Sequence, residues 1–343
     1  MKTSNPKPLC PVKSGLSAAI LALGVMVAPS VHATVASNFT IVNHATGQPL
    51  SLYDYQGSII LLDFWAYWCG PCNQASADIE PNITQYYRNA GGNNNGVPVT
   101  VISISIDLSS PDSENTFIDT YGLELVGDDA SGAAYDQFNQ GYIPQFAVIN
   151  GTTNSSNYGT WQVLYSNYGY GAGSTVPTLK SYIDSVQTPA PTCAVTNPVT
   201  GAIIPPSDIT LGAEIASNGK IIKNVEFYNG TTLLGSTTNT PCSLVWSNAP
   251  VGVQSVFVRT YYGTTSSDSA PVNFTVASPL VPKLISQGTN FLLRWTGGAG
   301  TFQVQVATNL STPVWQNYGT AGTNQSLTIT AANRAAFFRV LWP

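Results

Sequence analysis

The chain has 343 residues, of which 43% are hydrophobic, 10% aromatic and only 8% charged, with a net charge of −5. That length suits two or three domains, and the apolar share excludes a mostly disordered chain. The scarcity of Lys and Arg excludes nucleic-acid binding through the main body, because phosphate contacts need clustered cations.

Residues 1–33 have the layout of a secretory signal peptide. Lys2, Lys7 and Lys13 precede an apolar run from Gly15 to Ala28, and Val31-His32-Ala33 offers small residues for cleavage. The run is short for a membrane anchor, and no later segment is apolar enough to span a bilayer. An exported chain is expected, periplasmic, secreted or at the cell surface, with no transmembrane span after cleavage; an uncleaved anchor is the alternative. Cys10 precedes the apolar run and leaves with the leader. His32 leaves too, and a lone His44 excludes multi-histidine zinc cages and argues against Ser-His-Asp and Cys-His nucleophiles.

Residues 34–187 mix strand and helix patterns and hold only Arg88 and Lys180 against 13 acids. Ser58 to Trp65 is an apolar run of strand length. From Pro71 to about Arg88, the spacing of Ile79, Ile83 and Tyr86 or Tyr87 predicts a helix. Val97 to Ile106 reads as a second buried strand, and Pro111 to Tyr121 opens as helices do, with Pro and acids. A short helix over Ala133 to Phe138, a strand over Gln145 to Ile149, a hairpin partner over Trp161 to Tyr165 and a helix over Val176 to Val186 follow. The alternation predicts a sheet covered on both faces.

Two Pro-rich spacers, residues 188–192 and 278–282, divide the rest. Residues 193–277 show no helical pattern. Strands are predicted over Ile209 to Ile215, Ile221 to Tyr228, Thr232 to Ser236, Ser243 to Trp246, Ser255 to Tyr261 and Val272 to Val276, which indicates a β-sandwich. Residues 283–343 repeat this on a smaller scale, with strands over Asn290 to Trp295, Thr301 to Ala307, Ser326 to Thr330 and Ala336 to Leu341. Four cysteines remain after the leader: Cys69, Cys72, Cys193 and Cys242. An even number in an exported chain suggests disulfides. Cys193 and Cys242 are candidates for a structural bridge across the sandwich, with two free thiols as the alternative.

One constellation carries chemistry. Trp68-Cys69-Gly70-Pro71-Cys72 follows the first buried strand and opens the helix. A thiol at a helix N-terminus faces unpaired N–H groups and the positive end of the helix dipole, and both favour the nucleophilic thiolate. The three-residue step puts Cys72 within one turn, so the pair can open and close a disulfide. Asp63, six residues upstream on the strand, is placed to take a proton from Cys72. A cis peptide at Ile143-Pro144 would bring backbone beside the sulfurs, and Trp68 offers an apolar docking face. The rival readings of Cys-x-x-Cys fail on ligands: a zinc site lacks nearby partners, and haem attachment lacks a histidine at Asn73.

Asp63-Phe-Trp-Ala-Tyr-Trp-Cys-Gly-Pro-Cys72, Ser105-Ile-Asp107 and Ile143-Pro-Gln-Phe-Ala-Val-Ile149 resemble the thioredoxin superfamily, especially the exported TlpA/ResA-type thiol-disulfide oxidoreductases. The resemblance implies an α/β thioredoxin-like fold, with a central mixed sheet and helices on both faces. It also implies dithiol-disulfide exchange with protein substrates and a redox partner, without a cofactor or metal. Cys69 is then the nucleophile, Cys72 the resolving thiol and Pro144 the cis proline. Thioredoxins usually carry a lysine near the buried acid; here the matching strand has Ser103 instead. Glu80-Pro81 lies eight residues after Cys72, too far for the acidic role that relatives place just after the motif.

Val225 to Ser236, with Pro241 to Trp246 and Gly252 to Val258, resembles bacterial immunoglobulin-like domains, which implies a spacer or a module with a surface or glycan ligand. Residues 283–343, through Val304 to Leu310, Val314-Trp315 and Phe337 to Val340, resemble a small β module found at the C-terminus of exported proteins. The expected function is that of an exported thiol-disulfide oxidoreductase. The alternatives are a surface binding or adhesion protein with a vestigial redox scaffold, and a thiol peroxidase.

Overall fold

The computed structural model describes residues 34–330 and 335–342, so the leader reading falls outside the described residues. The chain opens with a short hairpin, β1 (Thr40–Asn43) and β2 (Pro49–Ser51). There follow β3 (Ile59–Trp65), α1 (Gly70–Ile79), α2 (Gln85–Ala90), β4 (Val99–Ser105), α3 (Pro111–Tyr121), β5 (Val126–Asp128), α4 (Tyr135–Phe138), β6 (Gln145–Asn150), β7 (Gln162–Tyr168) and α5 (Thr175–Ser185). The strands form one sheet in the order β2-β1-β5-β4-β3-β6-β7. β3, β4 and β5 run parallel, and β6 returns antiparallel beside β3.

β3 is central and buried throughout, which explains its unbroken apolar run. Its alternate side chains serve two cores. Ile60, Leu62 and Phe64 face the N-terminal segment and α4, with Phe39, Leu52 and Phe138. Ile59 and Leu61 face the helices on the other side, meeting Ile79, Ile83, Leu179 and Ile183. Asp63 and Trp65 share that second parity, so a carboxyl is placed within the helix-covered face.

The single helix predicted from Pro71 to Arg88 is interrupted by a π-helical turn over Glu80–Thr84, between α1 and α2. Pro81 lacks an N–H and cannot continue the ladder, and the Asn82 amide side chain donates to the Asp78 carbonyl at 2.8 Å. β1, β2 and β5 have no counterpart among the predicted strands, being only three or four residues long.

An immunoglobulin-like β-sandwich follows. It comprises β8 (Thr192–Asn197), β9 (Ile203–Ile204), β10 (Ile209–Ala216), β11 (Ile222–Asn229), β12 (Thr232–Thr237), β13 (Cys242–Trp246), β14 (Gly252–Tyr262), β15 (Thr265–Asp268) and β16 (Val272–Val276). One sheet runs β13-β10-β8 and the other β12-β11-β14-β16-β9, with β15 paired to β14. Leu211, Phe227, Val258 and Phe274 are buried in the shared core.

The structure corrects the candidate bridge: Cys193 and Cys242 are both free thiols. They lie on β8 and β13, which flank β10 on opposite sides, opposite Ile215 and Ala213 respectively. Two strand spacings, about 10 Å, exceed the Cα separation that a disulfide spans. Both side chains instead pack against the sandwich core.

The last strands are β17 (Val281–Gln287), β18 (Asn290–Thr296), β19 (Gln303–Ala307), β20 (Gln316–Asn317), β21 (Ser326–Thr330) and β22 (Phe337–Leu341). They make two three-stranded sheets, β17-β18-β21 and β20-β19-β22, around Leu293, Trp295, Phe302, Val304 and Ile329. β8 and β17 begin inside the segments read as spacers, at Thr192 and Val281.

The α/β part and the sandwich meet at the loop after α2. The Ile221 N–H donates to the Gly96 carbonyl at 2.8 Å and that of Thr264 to the Asn94 carbonyl at 3.2 Å. Lys220, buried there, donates from Nζ to the Asn95 carbonyl at 2.7 Å. Gly263 has a positive φ of 48°, and a Cβ on it would stand 2.5 Å from the Asn94 carbonyl oxygen. Only glycine admits so close a backbone approach.

Candidate active site at the start of the first helix

β3 delivers the chain to the end of the sheet where Ala66, Tyr67 and Trp68 turn it into α1. Cys69 is the N-cap of α1 in an extended conformation (φ −82°, ψ 105°), with Pro71 in the first turn. The Cys69 N–H donates back to the Ala66 carbonyl at 3.0 Å, which closes the turn. The Cys72 N–H, in the first turn of the helix, lies 3.1 Å from the Cys69 carbonyl oxygen and 3.2 Å from Cys69 Sγ, and is shared between them. Thus the sulfur of Cys69 receives a backbone donor where a thiolate would place its charge. Cys69 and Cys72 are joined by a disulfide, with Cα atoms 5.2 Å apart.

The two sulfurs are not equally covered. Cys72 is fully buried, while Cys69 keeps 3% of its surface accessible. That is less than a freely exposed nucleophile would have. Tyr67, Ile106 and Ile143 border the pocket, and Trp65 and Phe117 form its floor. Trp65 and Phe117 stack at 4.2 Å with planes 8° apart. Asn73 ties the helix start to α3: its Nδ2 donates to the Cys69 carbonyl at 2.9 Å, and its Oδ1 accepts from the Tyr121 hydroxyl at 2.8 Å.

The loop before β6 supplies the facing wall. The Ile143-Pro144 peptide is cis, and the Ile143 carbonyl oxygen lies 3.8 Å from Cys69 Sγ. The Pro144 carbonyl accepts from the Gly169 N–H at 2.7 Å.

Asp63 lies on β3 with 1% of its surface accessible, and neither carboxylate oxygen has a hydrogen-bond partner. Its register partners are Ser103 on β4 and Phe146 on β6, neither of them a cation. Burial alone pushes its carboxyl up to about 7. Trp68 is 61% exposed, and its indole N–H donates to Asp107 Oδ2 at 2.6 Å. The hydroxyl and N–H of Ser109, and then that indole, hold the Asp107 carboxyl below the usual carboxylate range. Glu80 is buried in the π turn, where its Oε1 accepts from Gln85 Nε2 at 3.4 Å.

The sequence motifs therefore converge: Cys69, Cys72 and the Ile143-Pro144 peptide meet at one end of the sheet, with Trp68 at the rim and Asp63 within the same face. Cys193 and Cys242 lie in the sandwich and take no part. Asn73 and Asp107 are partners that sequence reasoning missed. Asp107 stood in the quoted Ser105-Ile-Asp107 stretch, and its place at the same strand end as the cysteines was the available signal.

Fold and site define a thioredoxin-like domain with a cysteine pair joined as a disulfide at the start of its first helix. Comparison with known proteins agrees: residues 57–155 match a family model described as thioredoxin-like, and residues 191–331 match one described as a bacterial Ig domain. A thioredoxin of Coprinus comatus is 36% identical over 62 residues, covering 18% of this chain and 51% of the relative. The thioredoxin-like protein YneN of Bacillus subtilis is 31% identical over 78 residues, covering 23% of this chain and 42% of the relative. The chain thus spans about half the length of the curated relatives it matches. Among solved structures, a putative thiol:disulfide interchange protein DsbE from Chlorobium tepidum is 23% identical, with 43% of this chain and 92% of that one covered and a TM-score of 0.34. The fibronectin(III)-like modules of Clostridium thermocellum CbhA are 26% identical, with 25% and 94% covered and a TM-score of 0.24. Among the described residues, no helix is long and apolar enough to cross a membrane.

Proposed function

We propose that the protein is an exported thiol-disulfide oxidoreductase that exchanges its Cys69–Cys72 couple with protein thiols and disulfides. The observation that carries this reading is the disulfide at the start of α1, with Cys69 Sγ beside both a helix N–H and the Ile143 carbonyl. In the reducing direction, the Cys69 thiolate attacks a substrate disulfide and forms a mixed disulfide, releasing one substrate sulfur as thiolate. Cys72 then loses its proton, attacks Cys69 Sγ and releases the second substrate sulfur, leaving Cys69–Cys72 oxidised. Asp63, with a carboxyl that titrates near neutrality, is suited to hold that proton. The oxidising direction retraces these steps. With the Pro144 carbonyl engaged by Gly169, the Ile143 backbone is the part left to pair with an extended substrate segment. Trp68 supplies an exposed apolar rim.

The 3% accessibility of Cys69 is the one observation that favours the alternative, a redox domain kept as a scaffold for the β modules. A trapping experiment separates the two. Cys72→Ser, incubated with proteins of the exported fraction, should accumulate disulfide-linked adducts at Cys69 that dithiothreitol releases. Absence of adducts, with Cys69 free and the variant folded, favours the scaffold.

A further inference from the structure

We propose that His44, Glu114 and Asp128 form a binding site for one divalent first-row transition ion, zinc or manganese in character. The three residues come from separate elements: the turn after β1, the first helical turns of α3 and the end of β5. One donor atom from each lies within 4.8 Å of the others. This set is distinct from the cysteine couple and does not depend on the redox reading.

One observation points to a ligand rather than to a surface acidic cluster. Glu114 is 2% exposed, and its Oε1 has no hydrogen-bond partner. A buried carboxylate oxygen left unpaired is costly, and a cation bound between Glu114, Asp128 and His44 would satisfy it. The imidazole is held between two acceptors. His44 Nε2 is 2.8 Å from Asn115 Oδ1, an acceptor for an Nε2 proton. Nδ1 lies 2.9 and 3.2 Å from the two Asp128 oxygens, an ion pair when the ring is protonated, and a bound ion would take the place of that Nδ1 proton. A metal-bound histidine commonly donates its other ring N–H to such an oxygen.

The donor chemistry selects the ion. Calcium and magnesium take oxygen donors. One imidazole nitrogen with two carboxylates suits zinc, manganese or iron. Bonds of about 2.1 Å meeting near a right angle put neighbouring donors about 3 Å apart, close to the His44–Asp128 spacing. The two carboxylates balance the charge of the ion, and remaining positions are open to water. The absence of a multi-histidine cage does not bear on such a set.

The ion would pin α3 to the β1–β5 edge of the sheet. α3 carries Phe117, which stacks under the disulfide on Trp65, and Tyr121, which holds Asn73. Binding would therefore brace the helix behind the cysteine couple. The competing account is that the Ser105 hydroxyl, close to Glu114 and itself without a partner, rotates to serve the carboxylate.

Zinc titration followed by calorimetry tests this on the full chain with Cys69–Cys72 kept oxidised. Cys10→Ser, Cys193→Ser and Cys242→Ser remove competing thiols. Expected are one ion bound per chain, a raised melting temperature, and a loss of affinity of about tenfold or more in both His44→Ala and Glu114→Gln. Asn115→Ala should weaken binding by a smaller factor. Because His44 is partly exposed, His44→Ala serves as the folded control, checked by its zinc-free melting curve. No stoichiometric uptake, or uptake unchanged in both ligand variants, would overturn the site. A zinc-indifferent protein that Ser105→Ala alone destabilises would assign Glu114 to Ser105 instead.

Discussion

Asp63→Asn should stabilise the protein, and by an amount that depends on pH. The side chain is enclosed, unpaired and without a cation, and its carboxyl stands at about 7 against an ordinary 3.8. Ionising it in the folded state therefore costs about 4 kcal/mol more than in the unfolded chain. The sign follows from which state binds the proton more tightly. The folded state does, so stability is full below the unfolded value and falls as pH rises through the folded value. Asparagine keeps the shape and never ionises. The variant should gain about 2 kcal/mol over the parent at about pH 5 and about 4 kcal/mol at about pH 8, with little further change above that. The assay is urea unfolding of the oxidised protein at both pH values, with β3 read by a hydrogen-exchange pulse at one fixed pH. A gain equal at the two pH values, or a variant less stable than the parent at the higher one, would refute the reasoning. The same substitution should slow resolution of the mixed disulfide, an instance of stability withheld for function.

Phe117→Ala should cost about 3–5 kcal/mol, because it removes a buried ring stacked on Trp65 and touching Tyr121; thermal unfolding checks this, and a loss under about 1 kcal/mol would contradict the packing. Trp68→Ala should change stability by less than about 1 kcal/mol, since the ring is mostly exposed and loses one hydrogen bond to Asp107. Its effect should fall on protein substrates and spare reduction by dithiothreitol, and equal effects on both would argue against a docking rim. Lys220→Ala should loosen the joint between the α/β part and the sandwich. Faster exchange of the Ile221 amide, which donates to Gly96, is the expected signature, and unchanged protection would count against it.

The parts of the fold legible in the sequence are those with a strong local signal. β3 is read from its unbroken apolar run, and α3 from Pro111 with acids in the first turn. β1, β2 and β5 are too short for a periodic pattern, and their pairing is set by tertiary register. The π turn was legible only in hindsight, through Pro81. The cysteine motif located the site because its chemistry requires a helix start, which is a local property. Even counting left a Cys193–Cys242 bridge and two free thiols both open because it ignores lateral strand order: β10 runs between them, and both are free. The His44, Glu114 and Asp128 cluster was invisible for a related reason, since donors 70 and 84 positions from His44 meet only when β1 lies beside β5.

Turnover of a protein disulfide bears most directly on the role of Cys69. The full chain with its couple intact, supplied with dithiothreitol, should accelerate reduction of insulin disulfides, and Cys69→Ser should fall to the uncatalysed rate while keeping its melting temperature. An intact protein that leaves insulin at the uncatalysed rate, and does not reoxidise reduced substrate in its disulfide form, would contradict dithiol exchange at this site.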